Sequence, residues 1–371
     1  MGSVALGDPH FDVREYADQS IHTLQNDSGD SFGIRLLSSL AGKDGVGFSM
    51  ACVFIAECVD QENPRHHGRF VVKIFDPRHA TRLRESLKLP AFNNTTFEEV
   101  VAAFKNGTFA AFEEQMCTPV TLPSTLSRRT RNRLRHPEFD PVIYYALFVR
   151  GFDDIKITDE LIGHGLTHQH STLERELCVW LESKQDFNHE AEMHRYISQF
   201  PKAPVVRCME ITSIRPRLSY PADIVVDAPF TFGVVVMELL EGCTLGELEN
   251  LKYGTSQNLE EQSAGMQALL PKMAKDPKEI IEPFRRFWLF PLSVGIQSTD
   301  PNPGNIVFCP GDEGSGIKLL WIDVCQFQPR LEKVIYAPSV FPWSPDVAIA
   351  RHVISTNMHL EFNLESQTVE A

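Results

Sequence analysis

The chain has 371 residues, of which 43% are hydrophobic and 23% are charged, a composition typical of a globular protein with one large core or two lobes. Its net charge of −14 argues against bulk electrostatic binding to nucleic acid or to an anionic membrane. The eight cysteines are scattered without a C-x-x-C pair, which favours reduced thiols and a cytoplasmic protein, with the nucleus as the alternative. No apolar run is long enough to span a bilayer, so we expect no membrane partner.

The first predicted elements are a flexible segment and two strands. Residues 1–32 are polar, and we expect them to be flexible. A glycine-rich turn that contains Gly45 and Gly47 leads to predicted strands at residues 50–59 and 70–75. Because glycine has no side chain, the N–H groups of such a turn can approach a phosphate closely, although the same spacing also occurs in ordinary hairpins.

Lys73 interrupts the second of these strands, whose other residues are mostly apolar. An ammonium group that is half-buried in a strand needs a partner of opposite charge. One interpretation is a lysine that pairs with the phosphates of a nucleotide. The alternative is a lysine on an edge strand, whose long side chain reaches solvent and protects that edge.

Two helices are predicted in the next part of the chain, near residues 96–116 and at residues 186–200. Asp186 or Asn188 is expected to cap the second helix. Glu190 shares one face of that helix with apolar residues spaced three and seven positions later, whereas Glu192 lies about 200° round the helix and is expected to be solvated. The alternative for Glu190 is an ordinary exposed acid on a helix.

The remaining elements before the most informative segment are a strand and two helices. Residues 232–237 predict a buried strand that runs into a turn containing Glu238 and Leu240. A short helix is expected at residues 244–252, and a strongly apolar one at residues 280–294.

The segment from Asp300 to Asp323 carries the strongest chemical signal in the sequence. Asn305 follows Asp300 by five residues, and two short apolar strands around a polar turn then lead to Asp323. One carboxylate can accept the proton of an attacking hydroxyl, while an amide oxygen and a second carboxylate can hold Mg²⁺, which prefers oxygen ligands. Each residue alone would more often cap a turn or flank a strand, but the three in this order favour a site for a metal-bound phosphate.

This segment resembles the catalytic and metal-binding loops of the protein-kinase-like superfamily, including the aminoglycoside and choline kinases. The run that starts at Asp76 and ends at Arg84 is similar to D-x-R-x-A-x-x-L-R in a group of fungal kinase-like proteins. The resemblance implies an α+β, bilobal fold with an antiparallel-sheet N-lobe at residues 33–238 and a short, mainly helical C-lobe at residues 239–371. It also implies a large insertion at about residues 76–185.

The resemblance further implies roles for the residues named above. Asp300 is expected to be the catalytic base, and Lys73, held by Glu190, is expected to pair with the phosphates of ATP. Gly45 and Gly47 would lie over those phosphates, and the backbone of Glu238 and Leu240 would face the adenine. Asn305 and Asp323 would bind Mg²⁺, and the acceptor would be a hydroxyl of a protein or of a small molecule.

The sequence departs from the family pattern at three places. Ser298 stands where the family usually has histidine, Asn302 stands where protein kinases have lysine, and Val324 with Cys325 replaces the usual Phe-Gly pair. These departures keep an alternative open, namely a pseudokinase that binds nucleotide or acts as a scaffold without efficient turnover.

Overall fold

The structure is a computed structural model. It describes residues 16, 21–40, 51–59, 68–80, 83–84, 87–116, 120–121, 138–139, 171–219, 225–227, 229–244, 283, 287, 290–291, 293–298, 303–311, 316–325, 327–329, 361–363 and 368–370. The chain divides into two compact units. One comprises residues 1–188 and 210–236, and the other comprises residues 189–209 and 237–371.

The first unit contains most of a closed six-stranded barrel. The strands are β1 (Ile21–Gln25), β2 (Ser31–Ser39), β3 (Cys52–Cys58), β4 (Arg69–Ile74), β7 (Cys208–Ile214) and β10 (Phe232–Glu238). Around the barrel they follow the order β1-β2-β3-β4-β10-β7. The pairs β1–β2, β2–β3, β3–β4 and β1–β7 are antiparallel. The fold is therefore mixed α+β with an antiparallel-sheet region, and the strands predicted at residues 50–59, 70–75 and 232–237 are present.

The N-terminal strand β1 lies within residues that the sequence predicted to be flexible. Its side chains alternate between exposed and buried, with His22 and Leu24 pointing into the barrel. Leu24 pairs with Phe32 of β2 on one side and with Ile214 of β7 on the other, which closes the barrel. Because β1 has only five residues, its two inward positions are too few to show a clear period in the sequence.

Three α-helices lie entirely within the described ranges: α1 (Asn94–Lys105), α2 (Thr108–Met116) and α3 (Thr172–Ile197). Two single-turn 3-10 helices, Pro77–His79 and Pro303–Asn305, are also present there. The helix predicted near 96–116 is thus present as two helices, separated at Gly107, whose φ of 81° ends the first.

Helix α3 begins much earlier than the predicted cap at Asp186 or Asn188, so that prediction is wrong. Ser171 Oγ accepts a hydrogen bond from Glu174 N, and the Glu174 carboxylate accepts one from Ser171 N. This reciprocal capping box fixes the start of a 26-residue helix. The last part of the expected insertion at residues 76–185 is therefore the N-terminal half of the helix that carries Glu190.

Two buried ion pairs follow β4 in the first unit. Arg78 Nη2 lies 2.6 Å from Asp76 Oδ2, and both side chains are fully buried. Arg84 Nη1 lies 2.5 Å from Glu176 Oε1 on α3. The run that resembles the fungal group thus contains two buried structural arginines, one of which attaches the segment after β4 to α3.

Strands dominate the described part of the second unit. They are β11 (Cys243–Thr244), β12 (Ile296–Ser298), β13 (Ile306–Pro310), β14 (Ile317–Trp321), β15 (Phe327–Pro329), β16 (Glu361–Asn363) and β17 (Thr368–Glu370). They form the sheet β11-β13-β14 and the pairs β12–β15 and β16–β17.

Two further short strand pairs belong to the first unit. They are β5 (Val120–Thr121) with β6 (Glu138–Phe139), and β8 (Arg217–Ser219) with β9 (Val225–Asp227).

The described residues of the second unit do not match the mainly helical C-lobe that the sequence predicted. Thr244, the expected first residue of a short helix, is a strand residue paired with Val307, and residues 245–252 lie outside the described ranges. Helical backbone is present at residues 283, 287, 290–291 and 293, in agreement with the helix predicted at residues 280–294. Within the part of the chain that the structure describes, no helix has the length and apolar character needed to cross a membrane.

Candidate functional site

The hairpin β13–β14 brings Asn305 and Asp323 to the same end of one sheet. The two strands around a turn that the sequence predicted are present, and their register pairs Ile306 with Trp321 and Pro310 with Ile317. Beyond the last paired residues, Ile322 N donates a 3.0 Å hydrogen bond to the carbonyl oxygen of Asn305. Asn305 therefore lies opposite the residue that directly precedes Asp323, and both residues are half-buried.

The closed end of the hairpin fixes this alignment. Gly311 N donates a 2.9 Å hydrogen bond to Gly316 O, and Gly316 has a φ of 70°, a conformation that side chains disfavour. Since a shift of one residue would turn every side chain of a strand to the other face, the turn also determines that Asn305 lies opposite Ile322, the residue before Asp323.

The segment that follows β14 is held in a compact turn. Asp323 Oδ1 accepts a 3.0 Å hydrogen bond from Cys325 N, and Phe327 N donates one of 3.0 Å to Val324 O. On the far side of β14, Val206 N donates to Trp321 O at 2.8 Å and Trp321 N donates to Pro204 O at 2.9 Å. Trp321 and Ile322, the two residues before Asp323, are therefore held by hydrogen bonds on both sides of β14.

Leu240 packs against the sheet that contains the hairpin. Leu240 and Ile322 both pack against a buried cluster of Val307, Cys309 and Leu320. Ile322 is adjacent to Asp323, so the second unit brings the predicted adenine-facing segment and the predicted metal ligands to one sheet.

Gly242 allows the chain after Leu240 to pass close to β13. A Cβ atom at this position would lie 2.1 Å from the carbonyl oxygen of Phe308. No real Cβ makes such a contact, so only glycine permits this approach. Two residues later the chain pairs with β13 through Thr244 and Val307.

The side chain of Glu238 is engaged by Arg207. Arg207 N donates a 3.2 Å hydrogen bond to Glu238 Oε1, and Glu238 N donates one of 3.1 Å to Arg207 O. Arg207 Nε also lies 3.6 Å from Glu238 Oε2. These contacts fix the end of β10, where the backbone is expected to face a nucleotide.

Lys73 lies in the first unit on β4, which has a neighbour on each side, β3 and β10. Its backbone is opposite Val53, and the residue is 5% exposed. The interpretation as an edge-strand lysine is therefore wrong. Lys73 Nζ lies 5.2 Å from the centroid of the Phe75 ring, a distance at which the ring face attracts a cation.

Glu190 belongs to the second unit and is completely buried on α3. Its Oε1 lies 3.7 Å from His194 Nε2, one helical turn later. Met193 and Ile197 on the same face are also buried, whereas Glu192 is exposed. The predicted orientation of the helix is confirmed, and the alternative of an exposed acid is wrong.

Three predicted site residues lie outside the described ranges, namely Asp300, Gly45 and Gly47. The structure does describe the backbone of Ser298, two residues before Asp300, as the end of β12. Ser298 pairs with Phe327 of β15, so the segment leading to Asp300 is bonded to the segment that follows Asp323.

Sequence reasoning missed His189 and Phe327. His189 Nε2 lies 2.5 Å from the carbonyl oxygen of Phe327. The two residues are 138 positions apart, and a histidine beside Glu190 carries no signal in the sequence for a contact at that distance.

Asn305 and Asp323 offer oxygen atoms, the ligand type that Mg²⁺ prefers. In the described ranges, no three histidine, cysteine, aspartate or glutamate side chains converge to hold a metal ion. Mg²⁺ commonly takes one or two protein oxygen ligands and completes its shell with phosphates and water. The oxygens of Asn305 and Asp323 suit that mode of binding.

No model of a known protein family matches the chain, and no curated protein is similar to it.

Proposed function

We propose that the chain is an ATP- and Mg²⁺-dependent phosphotransferase with a bilobal, protein-kinase-like fold. One observation carries the proposal: the segments that carry Asn305 and Asp323 are bonded to each other at one end of a three-stranded sheet, and Leu240 packs against a buried cluster of that same sheet. Phosphoryl transfer depends mainly on positioning and on neutralising charge, and a rigid sheet that presents metal ligands beside a nucleotide-facing segment supplies both.

Asn305 and Asp323 would hold the metal ion, which supplies charge neutralisation for the phosphates when bound. The backbone of Glu238 and Leu240 would bind the adenine edge, and Gly45 and Gly47 would cover the phosphates. These assignments use the oxygen ligands and backbone groups that such a nucleotide requires.

Lys73, Glu190 and Asp300 complete the proposed machinery. Lys73 would pair with the α- and β-phosphates, and Glu190 would hold its ammonium group in place. A buried lysine on an interior strand favours this role, because a buried ammonium requires compensating negative charge. Asp300 would accept the proton of a hydroxyl on a protein or small-molecule acceptor.

A pseudokinase is the second candidate function. Val324 is fully buried in the turn after Asp323, where its carbonyl accepts a hydrogen bond from Phe327. This closed turn replaces the Phe-Gly pair expected there, and Asn302 replaces a lysine that stabilises transferred charge. Both features favour nucleotide binding without efficient transfer.

Thermal unfolding with ATP, in the presence and absence of Mg²⁺, tests the proposed binding site. A ligand at 100 times its Kd stabilises a protein by about 2.7 kcal/mol, so saturating ATP should raise Tm measurably. Mg²⁺ should increase this shift in the wild type but not in Asp323→Asn. Asp30→Asn, which changes an exposed carboxylate on the β1–β2 turn, serves as the matched control.

The possible results separate the candidate functions. No shift with ATP under either condition would contradict both. A shift with slow ATP turnover that Asp300→Ala abolishes supports the phosphotransferase, whereas turnover that survives Asp300→Ala contradicts the assigned base. A Mg²⁺-dependent shift without any turnover supports the pseudokinase.

A further inference from the structure

Phe327 connects the turn after Asp323 to its surroundings. Its backbone pairs with Ser298 of β12, and its N–H closes the turn onto Val324. Its ring is 1% exposed and meets the Trp321 ring edge-on, with 5.4 Å between centroids. Any contact that fixes Phe327 therefore also fixes the ends of the segments that carry Asp300 and Asp323.

The carbonyl oxygen of Phe327 receives such a contact from α3. His189 Nε2 lies 2.5 Å from it, and since a carbonyl oxygen only accepts, the imidazole must carry a proton on Nε2. The hydrogen bonds from Cys325 N to Asp323 and from Phe327 N to Val324 lie within the turn, whereas this one joins the turn to a helix residue 138 positions away.

Residue 189 also occupies a specific place on its helix. It directly precedes Glu190, which is completely buried, and it is itself half-buried. A second hydrogen bond attaches α3 within this unit about two helical turns later, since Tyr196 Oη donates to Val294 O at 2.6 Å. The last three turns of α3 are thus bonded to the second unit at two positions.

We propose that His189 is a positioning residue that fixes Phe327, and with it the turn that Phe327 closes onto Val324, against α3 and so sets the affinity of the site for Mg²⁺-nucleotide. This inference rests on the proposed nucleotide and Mg²⁺ site. The hydrogen bond holds the Asp323 turn in the geometry that binds the ion, so its loss leaves the ligand present but less well oriented. His189 itself contacts neither the ion nor the nucleotide.

Two variants separate the hydrogen bond from the bulk of the side chain. His189→Gln retains an N–H donor at a similar reach, and His189→Leu removes the donor but keeps an apolar group of similar size. Glu192→Leu is the matched control, because Glu192 is exposed on the same helix three residues away.

Hydrogen exchange of the protein without ligand gives the first readout. Mass spectrometry of peptides covering residues 321–329 should show about 3- to 10-fold faster exchange in His189→Leu, the range expected for the loss of one hydrogen bond. His189→Gln and Glu192→Leu should exchange like the wild type. Equal exchange in His189→Leu and the wild type would overturn the proposal.

Binding of the fluorescent nucleotide mant-ATP gives the second readout. The Mg²⁺ concentration for half-maximal binding should rise about 3- to 10-fold in His189→Leu. It should stay near the wild-type value in His189→Gln, and binding measured without Mg²⁺ should not change. A uniform loss of affinity with and without Mg²⁺ would contradict the positioning role.

The two readouts also distinguish this inference from the proposed function. If wild-type protein fails to bind mant-ATP, the proposed function fails. If the wild type binds it in a Mg²⁺-dependent way and His189→Leu behaves identically, only the role of His189 is wrong.

A measurement on the wild type covers the case in which His189→Leu does not fold. Nitrogen-detected NMR of ¹⁵N-histidine-labelled protein should show a protonated Nε2 for His189, with His189→Gln used for assignment. An imidazole protonated only on Nδ1 could not donate this bond and would overturn the proposal.

Discussion

At the residue scale, the group with the clearest electrostatic consequence is Asp76. It is completely buried and accepts hydrogen bonds from Arg78 Nη2 at 2.6 Å and from Tyr16 Oη at 2.5 Å. Burial alone would raise the pKa of this carboxyl. The charges of Arg78 and His79 and the hydrogen bonds from Arg78 and Tyr16 outweigh that effect and hold the pKa below its usual range.

We predict that Asp76→Asn destabilises the protein strongly at neutral pH and less in acid. The change leaves Arg78 buried without its counter-charge, which costs about 3–5 kcal/mol. Because the folded-state pKa is lowered, the Asp76 contribution is complete above the unfolded-state pKa of about 3.9 and is lost as pH falls towards the folded value. Urea unfolding of wild type and variant at pH 7, 5 and 3.5 measures the difference.

That difference in unfolding free energy should be the same at pH 7 and 5 and smaller at pH 3.5. Asp30→Asn, at an exposed position, should have nearly the same unfolding free energy as the wild type at each of these three pH values. A difference for Asp76→Asn that grows as the pH is lowered would contradict the lowered pKa.

Lys73 and Glu190 show what a residue pattern can and cannot predict. The helical spacing of apolar neighbours predicted the inward face of Glu190, because that information is local. The environment of Lys73 depends on whether β4 has one neighbouring strand or two, and β10, its second neighbour, lies about 160 residues later in the chain. Only the fold could therefore exclude the edge-strand interpretation.

At the element scale, the hairpin β13–β14 was predictable and the start of α3 was predictable in principle. Two apolar runs around a turn with glycines at residues 311 and 316 define the hairpin within about 16 residues. Ser171 and Glu174 match the S-x-x-E capping box, a signal that was present in the sequence and was missed. The choice of Asp186 or Asn188 failed because a residue able to cap a helix also occurs inside one.

We predict that Gly242→Ala separates the segment after β10 from the hairpin. The new Cβ would overlap the backbone of Phe308, which cannot move without distorting β13. Overpacking of this kind costs about 1–3 kcal/mol, and we also expect weaker binding of mant-ATP because Leu240 shifts with the backbone. Denaturant unfolding and nucleotide titration provide the measurements.

Glu241→Ala is the control for this change, since the neighbouring residue is exposed and its truncation should leave both quantities unchanged. Wild-type stability in Gly242→Ala would show that the segment can move away from β13 without cost, in conflict with the close packing described here.

At the scale of the whole molecule, the cysteines form a pattern that can be tested directly. In the described part of the chain, six of them form no disulfide bond: Cys52, Cys58, Cys178, Cys208, Cys309 and Cys325. This agrees with the reduced state that their scattered positions indicated. Burial raises the pKa of the Cys52 and Cys178 thiols well above the usual value and that of Cys309 to about 11.

We predict that iodoacetamide at pH 8 labels the half-buried Cys58, Cys208 and Cys325 of the native protein before the buried Cys52, Cys178 and Cys309. Iodoacetamide reacts with the thiolate form of an accessible cysteine. The buried thiols are shielded from the reagent, and their raised pKa values leave little thiolate at pH 8. Peptide mass spectrometry at successive times gives the order. In denatured protein all six should react alike, and early labelling of Cys178 in native protein would contradict its burial on α3.

The sequence by itself determined the elements whose signals are local. The strands β3, β4 and β10, the hairpin before Asp323 and the inward face of the Glu190 helix follow from apolar periodicity and turn residues within one short window. The residue types suited to phosphate chemistry were visible in the same way, because their order along the chain is itself sequence information.

The tertiary structure alone decided which distant residues meet. Burial of Lys73, the packing of Leu240 beside Ile322 and the bond from His189 to Phe327 each depend on segments that are tens to more than a hundred residues apart. Such contacts form when the barrel closes and the β11-β13-β14 sheet assembles, because strands then pair with neighbours that are distant in the sequence. A local pattern carries no record of those neighbours, so the side chains that orient the proposed site became identifiable only in the folded chain.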